Sequence, residues 1–278
     1  MEINRTKDLM IMMNIPVNQL KIALRSEKTQ LGLWLASANA YTAEMAATSG
    51  FNWLLIDGEH GPNDIPTLLA QLQAVAPYPC QPIVRPVNQD PALIKQLLDI
   101  GAQTLLVPMV ETAQQARDLV RAMRYAPRGI RGVGASIARA ARWGTVNNYE
   151  DEVEQQLCLL VQVESVRGID NLAEILQVEG VDGVFIGPAD LSATMGHMGN
   201  PLHPEVDTTI KKALAEIRAA GKAAGCLSID PAIVKRYVEY GANFVAAAID
   251  TVLLIRGMST ALAEMTGAVA EEQKRHSY

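Results

Sequence analysis

Short apolar runs recur along the chain, each followed by a longer stretch in which apolar residues return every three or four positions. The runs are LGLWLA (31–36), WLLID (53–57), PIVRP (82–86), TLLVP (104–108), LLVQVE (159–164), GVFIG (183–187), AAGCLS (223–228) and FVAAAI (244–249). Between them, DIPTLLAQLQAVA, PALIKQLLDIG, ETAQQARDLVRAMR and PEVDTTIKKALAEIRAAG carry the helical period. Near-continuous apolar strands separated by helices predict a parallel sheet covered by helices. Eight such units in 278 residues predict a (β/α)8 TIM barrel spanning 1–278. A doubly wound open sheet is the alternative, because a pattern does not show closure.

A weak repeat supports the barrel. SGFNWLLI, IGAQTLLV, EGVDGVFI and YGANFVAA share a glycine three residues ahead of a strand. Gly50, Gly101, Gly180 and Gly241 fit the position just past a helix end, where a left-handed residue stops the helix. One segment breaks the rhythm: residues 125–157 are too long for an ordinary connection. With Arg124 just upstream, it brings Arg128, Arg131, Arg139 and Arg142, and is expected to rise from the C-terminal face as a functional loop or a subunit contact. Residues 1–18 read as an N-terminal extension, with Met12 or Met13 as alternative starts, and 266–278 as a tail.

Composition narrows the classes. Apolar residues make up 49% and charged residues 19%, enough for a large core. No apolar run approaches the roughly 20 residues needed to cross a bilayer, and the first residues resemble neither a signal nor a transit peptide. A net charge of −6 argues against nucleic acid as a partner. Cys80, Cys158 and Cys226 are far apart and odd in number, which suits free thiols in a reducing cytoplasm. The absence of CxxC and HExxH patterns argues against a thiolate zinc site or a zincin.

The chemistry lies where polar residues interrupt strands. Asp57, Glu59 and His60 close the second run, Arg85 interrupts the third, Gln162 and Glu164 end the fifth, and Asp190 follows the sixth in FIGPADLS. In a barrel those ends converge on one mouth. Gln162 and Glu164 are two apart and share a side of their strand. A carboxylate facing the barrel interior needs a partner. Arg85 is one candidate; a divalent metal held by Glu164 and Asp190, two hard oxygen donors, is the other. His60 is the natural general base, with Asp57 the nearest carboxylate to orient it. The other histidines, His197, His203 and His276, read as bystanders in loop or tail sequence. GVGA (132–135) lacks the rest of a phosphate loop, and IGPADL (186–191) places a possible helix start where free N–H groups could hold a carboxylate.

LLIDGEH, VRP, IKQLLDIGAQTLLVPMV, RGVGAS, LVQVE and VEGVDGVFIGPADLS together resemble the HpcH/HpaI aldolases, in order, from about Gln30 to about Thr251. The resemblance implies a barrel of the phosphoenolpyruvate/pyruvate type, assembled as a hexamer (a dimer of trimers) with the eighth helix exchanged between subunits. It implies a divalent cation (Mg²⁺, Mn²⁺ or Co²⁺) on Glu164 and Asp190. Gln162, Asp190 and the backbone at Ala189, with Trp34, then form the substrate-binding set. His60 becomes the proton acceptor and Arg85 the transition-state stabiliser. The family pairs the histidine with a carboxylate matching Asp99, reached across a subunit boundary, which leaves Asp57 as a supporting residue. The implied reaction is cleavage of 4-hydroxy-2-oxo acids without a Schiff-base lysine. The first expectation is 4-hydroxy-2-oxoheptane-1,7-dioate, giving pyruvate and succinate semialdehyde; 2-keto-3-deoxy-L-rhamnonate, giving pyruvate and lactaldehyde, is the alternative. A CoA-thioester lyase and a non-catalytic oxo-acid-binding barrel are further alternatives. The chain departs from the family at Gly61, where alanine is usual, and at Ala248, where glycine is common and a methyl group is expected to point into the barrel.

Overall fold

The computed structural model describes residues 13–26 and 28–267. Its strands are β1 (Gln30–Leu35), β2 (Trp53–Asp57), β3 (Gln81–Arg85), β4 (Thr104–Val107), β5 (Cys158–Val163), β6 (Gly183–Ile186), β7 (Ala223–Leu227) and β8 (Phe244–Ile249). All pair in parallel in chain order, and β8 returns to β1, so the sheet is a closed TIM barrel and not an open one. The helices are α1 (Gln19–Ala23), α2 (Ala40–Ala47), α3 (Ile65–Val75), α4 (Pro91–Asp99), α5 (Ala113–Met123) and α6 (Tyr149–Glu152) in the first part of the chain. They continue as α7 (Val166–Asp170), α8 (Leu172–Leu176), α9 (Pro188–Thr194), α10 (Pro204–Ala219), α11 (Pro231–Glu239) and α12 (Asp250–Thr266).

Local chemistry sets the helix ends. α4 and α11 both begin at Asp-Pro: the Asp90 and Asp230 carboxylates accept the N–H of Ala92 (2.9 Å) and Ala232 (2.7 Å), and proline fits the first turn. Gly101 and Gly241, at φ +105° and +110°, directly follow the last helical turns of α4 and α11. Gly50 and Gly180 are also left-handed but lie further beyond their helices, so only two of the four repeat glycines are true helix stops.

Alternation along each strand divides the core. Leu33, Leu54, Ile56, Val84, Leu105, Val161 and Val184 face the helices. Trp53, Leu55, Ile83, Leu106, Leu160, Phe185 and Phe244 fill the barrel, and Leu20 and Leu24 close its base. Residues 13–18 reach that base too: Met13 N–H donates to Thr145 O at 3.1 Å, and the Asn18 amide donates to Thr104 Oγ1 at 2.9 Å. The rest of the N-terminal extension, and the tail with His276, lie outside the described residues.

Two expectations fail here for reasons of connectivity. Residues 125–157 join the end of α5 to the start of β5, so they cover the N-terminal face, opposite the mouth. Their arginines are spent there: Arg124 and Arg128 on Glu154 (2.9 and 2.6 Å), Arg131 on Asp99 (2.7 Å), Arg139 on Ile100 O and Arg142 on Arg139 O. Ala248 does not point into the barrel. The β1–β8 register shifts between Gly32, opposite Ala246, and Leu33, opposite Ala248, and the extra residue turns Ala248 to the helical layer. Its methyl group therefore does not narrow the mouth.

Candidate active site

The alternation that buries Trp53 and Leu55 also delivers Asp57 to the inner side of the barrel's C-terminal end. β3 repeats it with Ile83 and Arg85, and β5 with Leu160, Gln162 and then Glu164 one step past the strand. Asp57 and Arg85 are register partners on adjacent strands. Their side chains form a buried two-point pair, Arg85 Nε to Asp57 Oδ1 at 2.8 Å and Nη2 to Oδ2 at 2.6 Å. Trp34 Nε1 donates to the same Oδ2 at 3.0 Å, and the guanidinium lies 4.7 Å from the Trp34 ring centroid. Arg85 Nη1 then reaches Glu59 Oε2 at 2.7 Å and Gln162 Oε1 at 3.5 Å. Burial pushes the Asp57 carboxyl up, but the Arg85 hydrogen bonds and charge outweigh this and hold it below the ordinary carboxylate range.

Asp57 is therefore the partner of Arg85, not of the His60 imidazole. Its only links to the histidine stretch run through backbone, with Glu59 N–H at 3.0 Å and His60 N–H at 3.3 Å on Oδ1. Proximity in sequence misled here, because β2 ends with Asp57 pointing inward while the turn carries His60 out over the mouth, its side chain 72% exposed. The His60 ring comes within 3.9 Å of Glu59. Asp99 closes α4 at the opposite face and is paired with Arg131, so the single chain does not bring it to His60. Gly61 is packed under this turn; a Cβ there would stand 2.5 Å from Asp57 O, so an alanine requires the turn to shift.

Glu164 is the unusual group. It is buried, yet its described partners are neutral: the Gln162 amide and the Met109 N–H at 3.0 Å. Arg85, one of the two candidate partners, is committed to Asp57 and Glu59 and does not pair with Glu164. Burial first, and the Asp190 charge second, push its carboxyl from 4.5 to about 7. Asp190 arrives from the first turn of α9, where Ala189 also presents a backbone N–H without a helical acceptor. Gly187 makes room for both: a Cβ there would press on Glu164 Oε2 and the Gln162 amide. Two carboxylates, one buried and unbalanced, form an oxygen donor set that suits a divalent cation.

A cavity of about 430 Å³ opens at the mouth, with Trp34, Asp57, His60, Arg85, Gln162, Ala189 and Asp190 among its lining. Phe185, Leu227, Ile249 and Val252 form the apolar side. No lysine lines it among the described residues; Lys222 bonds Val178 O and Val181 O at the other face. The sequence reading gave no role to Asp250, which is buried at the start of α12 and accepts the N–H of Ala36 (2.9 Å) and Ser37 (3.1 Å), fixing the loop after β1 at the mouth. Its position directly after a strand was the available signal.

The unbalanced carboxylate has a consequence for stability. Between pH 4.5 and about 7 the folded, cation-free chain holds a proton on Glu164 that the unfolded chain has released. Stability from this group is complete below 4.5 and falls as pH rises through 7, by about 3 kcal/mol in all. Urea unfolding in chelator at pH 5 and pH 8 is expected to show that loss. It should shrink in Glu164→Gln and on addition of Mg²⁺ to the wild-type chain.

A model of the HpcH/HpaI aldolase/citrate lyase family matches residues 30–257. The chain is 61% identical to a hydroxypyruvate/pyruvate aldolase of Pseudomonas aeruginosa, over 88% of this chain and 92% of that protein. It is 58% identical to a 4-hydroxy-2-oxo-heptane-1,7-dioate aldolase of Salmonella heidelberg, over 90% and 95%. A crystal structure of a HpcH/HpaI aldolase/citrate lyase family protein from Burkholderia cenocepacia superposes with a TM-score of 0.87 at 39% identity, covering 90% of this chain and 99% of that one.

Proposed function

The chain belongs to the HpcH/HpaI aldolase/citrate lyase family and is an aldolase, a carbon–carbon lyase, and on that footing we propose that it cleaves 4-hydroxy-2-oxo acids to pyruvate and an aldehyde at the barrel mouth. The observation that carries this reading is the buried Glu164 carboxylate beside Asp190, left without a side-chain cation. Glu164 and Asp190 would hold the divalent cation. When bound, that cation supplies positive charge beside the keto and carboxylate oxygens of the oxo acid.

The protein's own groups do the rest. Gln162 and the Ala189 N–H orient the oxo acid, and Trp34 walls it in. As the C3–C4 bond breaks, its electron pair passes to C3 and into the adjoining C2 carbonyl, and C4 becomes the aldehyde carbon. His60 accepts the C4 hydroxyl proton, directly or through water, and C3 of the resulting enolate takes up a proton from water to give pyruvate. Arg85 meets the developing negative oxygen with a guanidinium fixed in advance by Asp57 and Glu59, so little reorganisation accompanies the step. For the His60 partner we propose Asp99 of a neighbouring subunit. α12 supports such an assembly: Leu253, Leu254, Ile255, Met258, Leu262 and Met265 are exposed on it, an apolar surface that a second copy would cover in a hexamer with exchanged helices. The three buried free thiols suit the cytoplasm.

The first substrate is 4-hydroxy-2-oxoheptane-1,7-dioate, in keeping with the 58% identical relative. The apolar wall of Leu227, Ile249 and Val252 favours a second, 2-keto-3-deoxy-L-rhamnonate, whose lactaldehyde half ends in a methyl group. Coupled assay of pyruvate release from both acids tests the reading. A kcat/KM at least tenfold higher for the heptanedioate supports the first substrate, and the reverse order supports the second. Release from neither, with Mg²⁺ present, contradicts the function.

A further inference from the structure

His197, His203 and Glu205 were unremarkable in sequence, two loop histidines and a helix-surface acid. The fold gathers them. Gly196 and Gly199, at φ +84° and +73°, turn the chain between α9 and α10 back on itself. His197 N–H bonds Ser192 O at 2.7 Å and His203 N–H bonds Asn200 O at 3.0 Å, which pins both ends of the turn. The two imidazoles then stack, with centroids 3.5 Å apart and planes 15° from parallel. His197 Nε2 lies 2.8 Å from Glu205 Oε2, and His203 Nδ1 lies 4.0 Å from the same oxygen while accepting the Glu205 N–H at 3.3 Å. One donor atom from each of the three residues falls within 4.8 Å of the others, the only such triad of His, Cys, Asp or Glu among the described residues.

We propose that His197, His203 and Glu205 form a second metal site, selective for a borderline divalent cation such as Zn²⁺ or Ni²⁺ and separate from the mouth. Donor type decides the selectivity. Two neutral imidazole nitrogens and one carboxylate suit zinc, nickel, copper or cobalt, whereas Mg²⁺ prefers oxygen and retains its waters. Spacing agrees. Bonds of about 2.0–2.2 Å at tetrahedral or octahedral angles put neighbouring donors roughly 2.9–3.5 Å apart, and the observed 2.8 and 4.0 Å bracket that range. Because the stacked rings direct their nitrogens along nearly parallel planes, binding requires the His203 ring to swing out of the stack, exchanging the long 3.3 Å cap bond for the metal. The N-terminus of α10 opposes a cation weakly. Glu205, in the first turn, offsets this with its own negative charge. The free thiols are buried and do not compete for the ion.

Equilibrium dialysis of the assembled protein against micromolar Zn²⁺, with millimolar Mg²⁺ to occupy the mouth, tests the proposal. Wild type is expected to hold one more zinc per chain than His197→Ala, His203→Asn or Glu205→Gln. Asparagine at 203 keeps a helix-capping side chain, and His197→Ala is expected to retain Mg²⁺-supported pyruvate release, which confirms that it folds. Equal zinc in wild type and His197→Ala would overturn the site, as would zinc that is lost only on Glu164→Gln.

Discussion

Glu164→Gln is expected to lower kcat/KM for pyruvate release by about three orders of magnitude or more, while raising the stability of the cation-free protein at pH 8. The two effects have one cause. Glutamine preserves the shape of the side chain and its approach to Gln162 and Met109, but it removes a charge that the fold itself does not balance. A carboxylate serving only the architecture would behave otherwise, because its loss would weaken the barrel and leave turnover largely intact. Steady-state assay beside urea unfolding of the same variant separates the two. Restoration of activity to the glutamine variant by excess Mg²⁺ would count against the role given to this oxygen.

Arg85→Lys is the second large effect, in the opposite direction for stability. Lysine keeps the charge but cannot make the two-point contact with Asp57, reach Glu59 from a third nitrogen, and lie against Trp34. Leaving buried carboxylate oxygens short of a donor costs about 1–3 kcal/mol, and losing a preorganised donor lowers kcat by roughly 100- to 1,000-fold. Asp57→Asn is expected to reproduce most of the stability loss, since it leaves Arg85 half-paired. Asp99→Asn should spare that pair, leave the buried Arg131 without its carboxylate, and lower the rate by removing the partner proposed for His60. Both variants then lose stability, so kcat against pH is what distinguishes them, and a pH profile unmoved by Asp99→Asn would return the histidine's partner to its own chain.

The strands were legible because barrel strands are apolar on both faces and read as continuous runs, while the helices between them show a 3.6 period. The mouth was legible for the same reason, as polar residues at inward positions of strand ends have one place to go. What failed depended on information that spacing does not hold. Asp57 was matched to His60 by adjacency, but sheet register places it opposite Arg85. The arginine-rich excursion was assigned to the wrong face because it was counted from β4, although α5 intervenes and reverses the chain. The Ala248 methyl group was expected to point into the barrel, and a bulge between β1 and β8 turns it to the helical layer instead. His197 and His203 were dismissed one at a time, and two left-handed glycines stack them.

Cleavage is proposed to depend on a divalent cation that Glu164 and Asp190 would hold, and not on a Schiff-base lysine. Pyruvate release by the wild-type protein, followed before chelation, in EDTA and after re-addition of Mg²⁺, Mn²⁺ or Co²⁺, measures it most directly, with borohydride present in a parallel sample. Activity is expected to be lost in EDTA and regained with the metal, with no pyruvate fixed to the protein by borohydride. Full activity in EDTA, or pyruvate trapped on a lysine, would contradict it.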